Sequence, residues 1–224
     1  SYETPPPLED PRTSSRGYRS LELEWLSWPS EYCPRPEEPG RDRWESYDHN
    51  HTAHAWVLRH RHEDRPWLVL HHGASMGWRL ADLTIFRAAF LHRELGLNLA
   101  FPVMPFHGPR SVRPPISLQL PVEDPVDTVH AIAQSVWDTR RLIGWIRGQS
   151  DLPVGVHGLS LGTFSASITA AVEPDLACLI VGVPAVSLSD LYFHHMPKRL
   201  RKRADIIDFV SDSRDLLSVA SPLS

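Results

Sequence analysis

Residues 153–172 read PVGVHGLSLGTFSASITAAV, and their pattern is the strongest indication of the fold. Its first five residues are typical of a short buried strand, and residues 161–172, rich in small side chains, favour a helix. The pentapeptide Gly-Leu-Ser-Leu-Gly at 158–162 joins the two. A strand that passes into a helix through one residue strains the backbone there, and glycines two positions away on either side remove side chains that would collide. The pattern predicts a sharp strand-to-helix turn with Ser160 at its apex.

Ser160 is therefore a candidate nucleophile. Its hydroxyl is expected at the carboxyl edge of the sheet, where open α/β folds bind their ligands. The start of the following helix adds a partial positive charge and free backbone N–H groups beside it. Gly158 and Gly162 are the glycines that such a turn needs. The alternative is a Gly-Ser turn that only joins two elements, and the flanking strand and helix disfavour it.

Working outward from this turn, strands and helices alternate along the chain. The alternation predicts the α/β class, with a mostly parallel sheet and helices on both faces in three layers. The strands at 66–71 and 177–183 are apolar and are expected to be buried. The predicted strands cover 21–28, 54–61, 66–71, 97–103, 153–157 and 177–183, and the predicted helices cover 81–95, 127–147 and 161–172.

The chain divides into three predicted parts. Residues 1–50 are an N-terminal arm and the first strand, and within them residues 1–20, rich in Pro, Ser and Arg, are interpreted as an extended arm on the surface. Residues 51–184 are the α/β core. Residues 185–224, with helical and loop-like sequence, are a C-terminal cap or lid segment of the kind that shapes a pocket and excludes water.

A second signal, His71-His72-Gly73-Ala74, comes directly after a predicted buried strand. Acyl transfer needs preorganised donors for the oxyanion of its tetrahedral intermediate, and one good donor contributes about 3–4 kcal/mol. The backbone N–H of Ala74 suits this role, paired with the N–H of Leu161 just after the candidate nucleophile. A His-Gly pair after a strand is a weak signal alone, but it gains weight from its order relative to the strand-to-helix turn.

With both signals in this order, the chain resembles the α/β-hydrolase superfamily over about residues 50–185. The resemblance implies that the strand at 66–71 is the third of that fold, the strand at 97–103 the fourth and the strand at 153–157 the fifth. The loop at 105–110, Pro-Phe-His-Gly-Pro-Arg, is similar to the family's glycine-bearing loop after strand four. The resemblance also implies a serine esterase or lipase-like enzyme that needs no cofactor and no metal.

The expected reaction is cleavage of a small-molecule carboxylic ester through an acyl-enzyme intermediate, and aromatic residues near the site favour a lipophilic substrate. Two other interpretations stay open: a non-catalytic α/β-hydrolase-like binding or scaffold protein, and a peptidase or thioesterase of the same fold. Candidates for lining the pocket, with core packing as their alternative role, are His72, Gly73, Met76, Trp78 and His107.

The acid and base that would activate Ser160 are missing from the pattern. The superfamily's order is Ser, then Asp or Glu, then His, the last two after strands seven and eight. No clear strand follows the one at 177–183. Asp190 and His195 have the right order, but they stand only five positions apart, too few for another strand. The chain is therefore expected to be truncated before strands seven and eight, with the acid and the His downstream of Ser224 or in another chain.

Composition argues against several other classes. The 224 residues carry a net charge of −4, which gives no reason to expect nucleic-acid binding. No apolar stretch approaches the ~20 residues of a membrane helix and no signal-peptide pattern is visible, so a cytoplasmic location is the default expectation. Cys33 and Cys178 are too few for a disulfide framework, and Cys178 is interpreted as a small buried hydrophobe.

Histidines are frequent in the first third of the chain, so a zinc site has to be weighed. His54, His60 and His62 would share a face if residues 54–62 were one strand. No Cys pair or His-Glu-x-x-His helix supports a metal, and an exposed strand with polar imidazoles is the favoured interpretation.

Overall fold

The computed structural model describes residues 3–18, 21–111, 124–185, 187–190, 217–218 and 220. Its strands are β1 (Arg12–Tyr18), β2 (Leu21–Pro29), β3 (Thr52–Leu58), β4 (Trp67–His71), β5 (Asn98–Pro102), β6 (Val154–Leu159) and β7 (Leu179–Gly182). Its helices are α1 (Arg41–Glu45), α2 (Arg79–Ile85), α3 (Ala88–Arg93), α4 (Pro125–Arg147) and α5 (Gly162–Val172), with 3₁₀ turns at Asp48–Asn50 and Gly108–Arg110.

The described strands form one sheet in the order β1-β2-β3-β5-β4-β6-β7. β5, β4, β6 and β7 are parallel neighbours, whereas β1, β2 and β3 join the β5 side by antiparallel pairing. The parallel strands are joined by crossovers that carry helices, as parallel pairing requires. The α/β class is confirmed, and the sheet is mixed because its first three strands are antiparallel to their neighbours.

Helices cover both faces of the centre of the sheet, which gives the predicted three layers. On one face α2 and α3 lie over a core that includes Leu70 and Phe101. On the other face α4 and α5 lie side by side, and Ile143 of α4 packs in a core with Val69. Every residue of β4 and β5 is buried, which accounts for the apolar sequence of both strands.

The N-terminal segment contributes a strand that the sequence analysis did not predict. The sequence predicts an extended arm over 1–20, whereas Arg12–Tyr18 forms β1 at the edge of the sheet. The described side chains of β1 are polar and exposed, so no apolar alternation marks the strand. Ahead of β1 the chain is bound to α4, where Arg140 donates to the carbonyl oxygen of Glu3 at 2.7 Å.

The helix predicted at 81–95 is two helices. α2 and α3 are separated at Arg87, whose φ of +51° lies in the left-handed region. Leu83, Phe86 and Leu91 still face one core, so their spacing gave no sign of the break. Phe90 of α3 is 41% exposed and does not belong to that core. Left-handed backbone at a residue other than glycine is uncommon and leaves little trace in sequence.

β7 was the strand whose environment the sequence analysis predicted incorrectly. The sequence predicts a buried strand, but Leu179, Ile180 and Val181 are 42–45% exposed and Val183 is 77% exposed. Cys178, interpreted as buried, is exposed as well. An apolar run is buried only where another element covers it, and no described residue covers the outer edge of β7.

The cap or lid segment predicted at 185–224 lies mostly outside the described residues. A few of its residues are described, and Leu188, Leu217 and Ala220 are buried in one cluster with Phe164 of α5. This part of the segment therefore belongs to the core that α5 shares with α4.

Candidate active site

Ser160 lies between the end of β6 and the start of α5, in strained backbone. Its φ is +50°, in the left-handed region that residues with a Cβ rarely adopt. Its N–H donates to the carbonyl oxygen of Gly182 on β7 at 2.9 Å, and its own carbonyl accepts from Thr163 at 2.9 Å. Strain of this kind persists only where surrounding structure imposes it, and it is concentrated at functional sites.

The glycines around Ser160 are sterically required. A Cβ on Gly158 would lie 2.6 Å from the carbonyl oxygen of Gly162 and 2.8 Å from the Cβ of Ala166. A Cβ on Gly162 would lie 2.2 Å from the carbonyl oxygen of His71 at the end of β4. The start of α5 is therefore in direct backbone contact with two strands, and this contact forces the turn at Ser160.

The loop after β4 runs against this turn. A Cβ on Gly73 would lie 3.5 Å from Ser160 Cβ and 3.4 Å from the carbonyl oxygen of Leu159. Gly73 is buried, whereas Ala74 is exposed. Within the described residues, the backbone N–H groups of Ala74 and Leu161 have no hydrogen-bond acceptor. One unused donor thus lies on the loop and another at the start of the helix beside Ser160.

His72 fixes the conformation of this loop. Its ring is buried, and burial holds its pKa well below the ordinary value for histidine, so the ring is neutral. The N–H of Met104 donates to Nε2 at 3.1 Å, which assigns the proton to Nδ1, and Nδ1 then donates to the carbonyl oxygen of Gly73 at 2.9 Å. Since C=O and N–H point in opposite directions in a trans peptide, this bond also sets the direction of the Ala74 N–H.

His107 lies beside His72, on the loop after β5. The two ring centroids are 4.9 Å apart, and Nδ1 of His107 contacts the carbonyl oxygen of Pro105 at 2.9 Å. Burial lowers the pKa of His107 to about 4. Gly77 and Gly108 bring the two loops into backbone contact, because a Cβ on Gly108 would lie 2.1 Å from the carbonyl oxygen of Gly77. The structure therefore brings together His72, Gly73 and His107.

Asp82 supports the same loop from α2, and the sequence analysis missed it. Its Oδ1 accepts from the N–H of Gly77 at 3.0 Å. Burial raises the pKa of Asp82 to about 7, and Oδ2 has no hydrogen-bond partner among the described residues. The sequence predicts a helix that starts at residue 81, so Asp82 falls in its first turn, where acidic residues are common and usually exposed to solvent. Nothing in the sequence distinguishes Asp82 from such an exposed residue.

A buried ion pair supports the loop after β5. Arg110 is completely buried and donates to Oδ2 of Asp138 on α4 at 2.9 Å. It also donates to the carbonyl oxygens of Val103 at 3.0 Å and Asn50 at 2.7 Å. Ser30 donates to the other carboxylate oxygen of Asp138 at 2.5 Å. This network joins the loop, α4, the 3₁₀ turn before β3 and the residue that follows β2. Its members are too far apart in sequence to form a recognisable pattern.

Two predicted pocket residues have other surroundings. Met76 is buried in the core below α2, which is the alternative left open for it. Trp78 is half-buried and lines a groove with Trp25 and Trp56. Pocket lining by His72, Gly73 and His107 stays a prediction.

The described residues provide no base for Ser160. Among them, no side chain forms a hydrogen bond with its hydroxyl. Asp190 is exposed and its N–H donates to Ser187 Oγ at 3.2 Å. His195, weighed as a base from the sequence, lies outside the described residues.

The early histidines do not share one strand. β3 ends at Leu58, so His60 and His62 lie beyond it, and His60 instead stacks on His92 with ring centroids 4.0 Å apart. Across the part of the chain that the structure describes, no group of three or more His, Cys, Asp or Glu side chains is arranged to hold a metal ion. None of the described helices has both the length and the apolar character needed to cross a membrane.

No protein-family model matches the chain. Its sequence is similar to two uncharacterized proteins of Mycobacterium tuberculosis, from strains CDC 1551 / Oshkosh and ATCC 25618 / H37Rv. Each is 45% identical over 195 residues, which is 87% of this chain and 47% of the relative. The chain thus spans about half the length of these curated relatives.

Three solved structures share the fold. A protein of Bacteroides fragilis named as an acetyl xylan esterase has a TM-score of 0.61 at 14% identity, covering 89% of this chain and 54% of that one. A cold-adapted esterase from an Arctic intertidal metagenomic library has a TM-score of 0.54 at 17% identity, covering 80% of this chain and 67% of that one. Acetyl xylan esterase 1 of a Thermoanaerobacterium species has a TM-score of 0.50 at 18% identity, covering 90% of this chain and 60% of that one. The chain has an α/β-hydrolase-like fold.

Proposed function

We propose that the protein is a serine hydrolase that cleaves a carboxylic ester through an acyl-enzyme intermediate, with Ser160 as the nucleophile. The observation that carries this proposal is the strained backbone of Ser160, whose φ is +50°. The positions two residues before and after it, Gly158 and Gly162, have no room for a side chain. Arg87 has a similar φ where it only joins α2 to α3, but at Ser160 this φ is combined with sterically required glycines on both sides. The esterases among the proteins of the same fold support the class of reaction.

In the proposed reaction the hydroxyl oxygen of Ser160 attacks the ester carbonyl carbon, and the carbonyl oxygen becomes an oxyanion. The N–H groups of Ala74 and Leu161, which have no acceptor among the described residues, are its donors. The alcohol then leaves with a proton, and water hydrolyses the acyl-enzyme to release the acid and restore the serine hydroxyl.

His72 is the positioning residue of this oxyanion site in the proposal, and it is not the base. A base must accept the serine proton, but Nε2 of His72 already accepts from Met104 and Nδ1 carries a proton that is donated to Gly73. Its contribution is to hold the Gly73–Ala74 peptide so that the N–H stays directed, which preorganises the donor before the substrate arrives.

The base and its carboxylate partner are proposed to belong to further strands of the sheet beyond β7. The apolar, exposed edge of β7 supports this arrangement, because another strand paired there would bury Leu179, Ile180 and Val181. The relatives at about twice this length also have room for such strands. Residues outside the described part of this chain, or residues after Ser224, would supply them.

The proposed substrate is a small-molecule carboxylic ester. Two of the proteins with the same fold are named as acetyl xylan esterases, so acetylated sugars are one class to test. Lipophilic acyl esters are the class favoured by the sequence. A p-nitrophenyl ester series of increasing acyl length, run beside acetylated xylo-oligosaccharides, separates the two.

The test is turnover of p-nitrophenyl acetate by the full-length gene product and two variants. Ser160→Ala is expected to lower kcat at least about a thousandfold, because it removes the nucleophile. Ser167→Ala is the matched control and is expected to retain activity, because Ser167 lies on the same helix α5 and is only half-buried. Unchanged turnover in Ser160→Ala would overturn the proposal.

A second candidate is a non-catalytic α/β-hydrolase-like binding protein. It is favoured by one observation, that no described side chain is bonded to the Ser160 hydroxyl. A peptidase or thioesterase of the same fold is separated from an esterase by comparing matched ester, thioester and amide substrates. Activity restricted to the amide or thioester would replace the ester proposal.

A further inference from the structure

An aromatic groove lies on the sheet face that α2 covers only in part. It has a volume of about 500 Å³ and is open to solvent. Residues of β1, β2 and β3 form one side, and the start of α2 with the loop after β5 forms the other. Its lining residues are Arg16, Trp25, Trp56, Trp78, Arg79, Leu80 and Pro109.

The wall of the groove on the sheet is a continuous set of rings. Trp25 and Trp56 are cross-strand partners with ring centroids 3.9 Å apart, and His54 stacks on Trp25 at 4.7 Å. Burial lowers the pKa of His54 to about 4, so this ring adds no positive charge at neutral pH. Nε1 of Trp56 is buried and has no hydrogen-bond partner among the described residues. The sheet side of the groove is thus an apolar wall.

The charge of the lining is entirely positive. Arg16 of β1 is exposed and, within the described residues, forms no ion pair, and Arg79 lies over the Trp56 ring at 5.8 Å. The acidic residues of β2, Glu22 and Glu24, alternate with the apolar ones and so point to the opposite face of the sheet. No acidic side chain among the described lining residues opposes an anion.

We infer that this groove binds a flat amphiphilic anion, an aromatic carboxylate, whose ring contacts Trp25, Trp56 and Trp78 while its carboxylate pairs with Arg16. The apolar wall can bury the aromatic ring of such a ligand. The arginine at the border of the groove can donate a charge-assisted hydrogen bond to the ligand's carboxylate. Neither Ser160 nor Ala74 or Leu161 lines this groove, and the inference stands whether or not that serine reacts. Trp78 directly follows the loop residue Gly77, so an occupied groove lies next to the loop that carries Ala74.

A neutral sugar is the other ligand that an aromatic wall suggests, and the lining disfavours it. Sugars need several hydrogen-bonding side chains to orient their hydroxyl groups, and the described lining has no Asp, Glu, Asn or Gln. The two guanidinium groups favour a carboxylate, which accepts two parallel hydrogen bonds from one arginine.

Calorimetric titration of the whole chain with naphthalene-2-carboxylate tests the inference. Saturable binding at one site is expected, weaker at high salt because the arginine is exposed. Arg16→Gln is expected to weaken it about three- to tenfold. Trp25→Ala is expected to weaken it about tenfold. Arg12→Gln, on the same strand outside the groove, is the matched control and should leave binding unchanged.

The neutral analogue naphthalene-2-methanol should bind at least about threefold more weakly and show no response to Arg16→Gln. Xylotriose should give no saturable heat. Absence of saturable naphthoate binding, equal binding of the alcohol, or equal losses in Arg16→Gln and Arg12→Gln would each overturn the inference. Thermal unfolding of each variant identifies misfolding, and the exposed Arg16→Gln keeps the test decisive if Trp25→Ala does not fold.

Discussion

The carbonyl oxygen of His71 lies so close to Gly162 that a Cβ on that glycine would be 2.2 Å away. This contact joins the end of β4 to the start of α5, the two elements that carry the loop residue Ala74 and the nucleophile candidate Ser160. The carbonyl oxygen belongs to the backbone, and the backbone also fixes the position of a Cβ, so no rotation of a side chain can make room.

Gly162→Ala is therefore expected to destabilise the fold by at least about 3 kcal/mol, since the helix start must move away from the sheet. Urea unfolding measures the loss. Gly144→Ala is the matched control: Gly144 lies in α4 with nothing within 4 Å of a Cβ, and alanine there should stabilise by up to about 1 kcal/mol. Equal effects at the two positions would show that the contact with His71 does not limit the fold.

His72→Phe removes both hydrogen bonds of the imidazole while filling its space. If the ring positions the Ala74 N–H, kcat should fall about 10²–10³-fold with KM nearly unchanged, because the lost interaction exists only in the transition state. His72→Asn, whose amide N–H can replace Nδ1, should recover part of the loss. A change confined to KM, or equal kcat values in the two variants, would contradict the positioning role.

Asp82 makes the stability depend on pH. Its folded pKa of about 7 lies above the ordinary carboxylate value of 3.8, so the folded state holds a proton that the unfolded state has lost between about pH 4 and 7. The contribution of Asp82 is complete below pH 4 and declines as pH rises through 7, at up to about 1.4 kcal/mol per pH unit. Asp82→Asn keeps an acceptor for Gly77 and should flatten this slope. Urea unfolding at pH 5, 6, 7 and 8 measures the free energy of unfolding of the unmodified protein and of Asp82→Asn. An equal pH dependence in the two proteins would contradict the raised pKa of Asp82.

Arg110→Met tests the buried ion pair. It leaves the Asp138 carboxylate buried without its cation, and the expected cost is about 3–5 kcal/mol in the free energy of unfolding. Arg41→Met, which removes the partly exposed pair with Glu45, is the control and should leave the unfolding midpoint nearly unchanged. A loss below about 1 kcal/mol in Arg110→Met would mean that water replaces the guanidinium.

The features that sequence predicted well are local ones. The turn at Ser160 depends on five consecutive residues, and the alternation of elements depends on periodicities within each segment. The sequence does not predict β1, because both faces of that strand are polar. It does not predict the exposure of β7, because an apolar run has the same sequence pattern whether or not a neighbouring element covers it. Asp82 and the pair of Arg110 with Asp138 acquire their roles only from tertiary burial, across 28 residues in the second case.

Covalent labelling of the full-length protein by a fluorophosphonate tests directly whether Ser160 is a nucleophile, with mass spectrometry of the peptides and a known serine hydrolase as positive control. One phosphonylated residue, Ser160, is expected, and no adduct is expected in Ser160→Ala. An unlabelled Ser160 in a sample where the control hydrolase is labelled, or a label on another serine that survives Ser160→Ala, would contradict the assignment of Ser160 as the nucleophile.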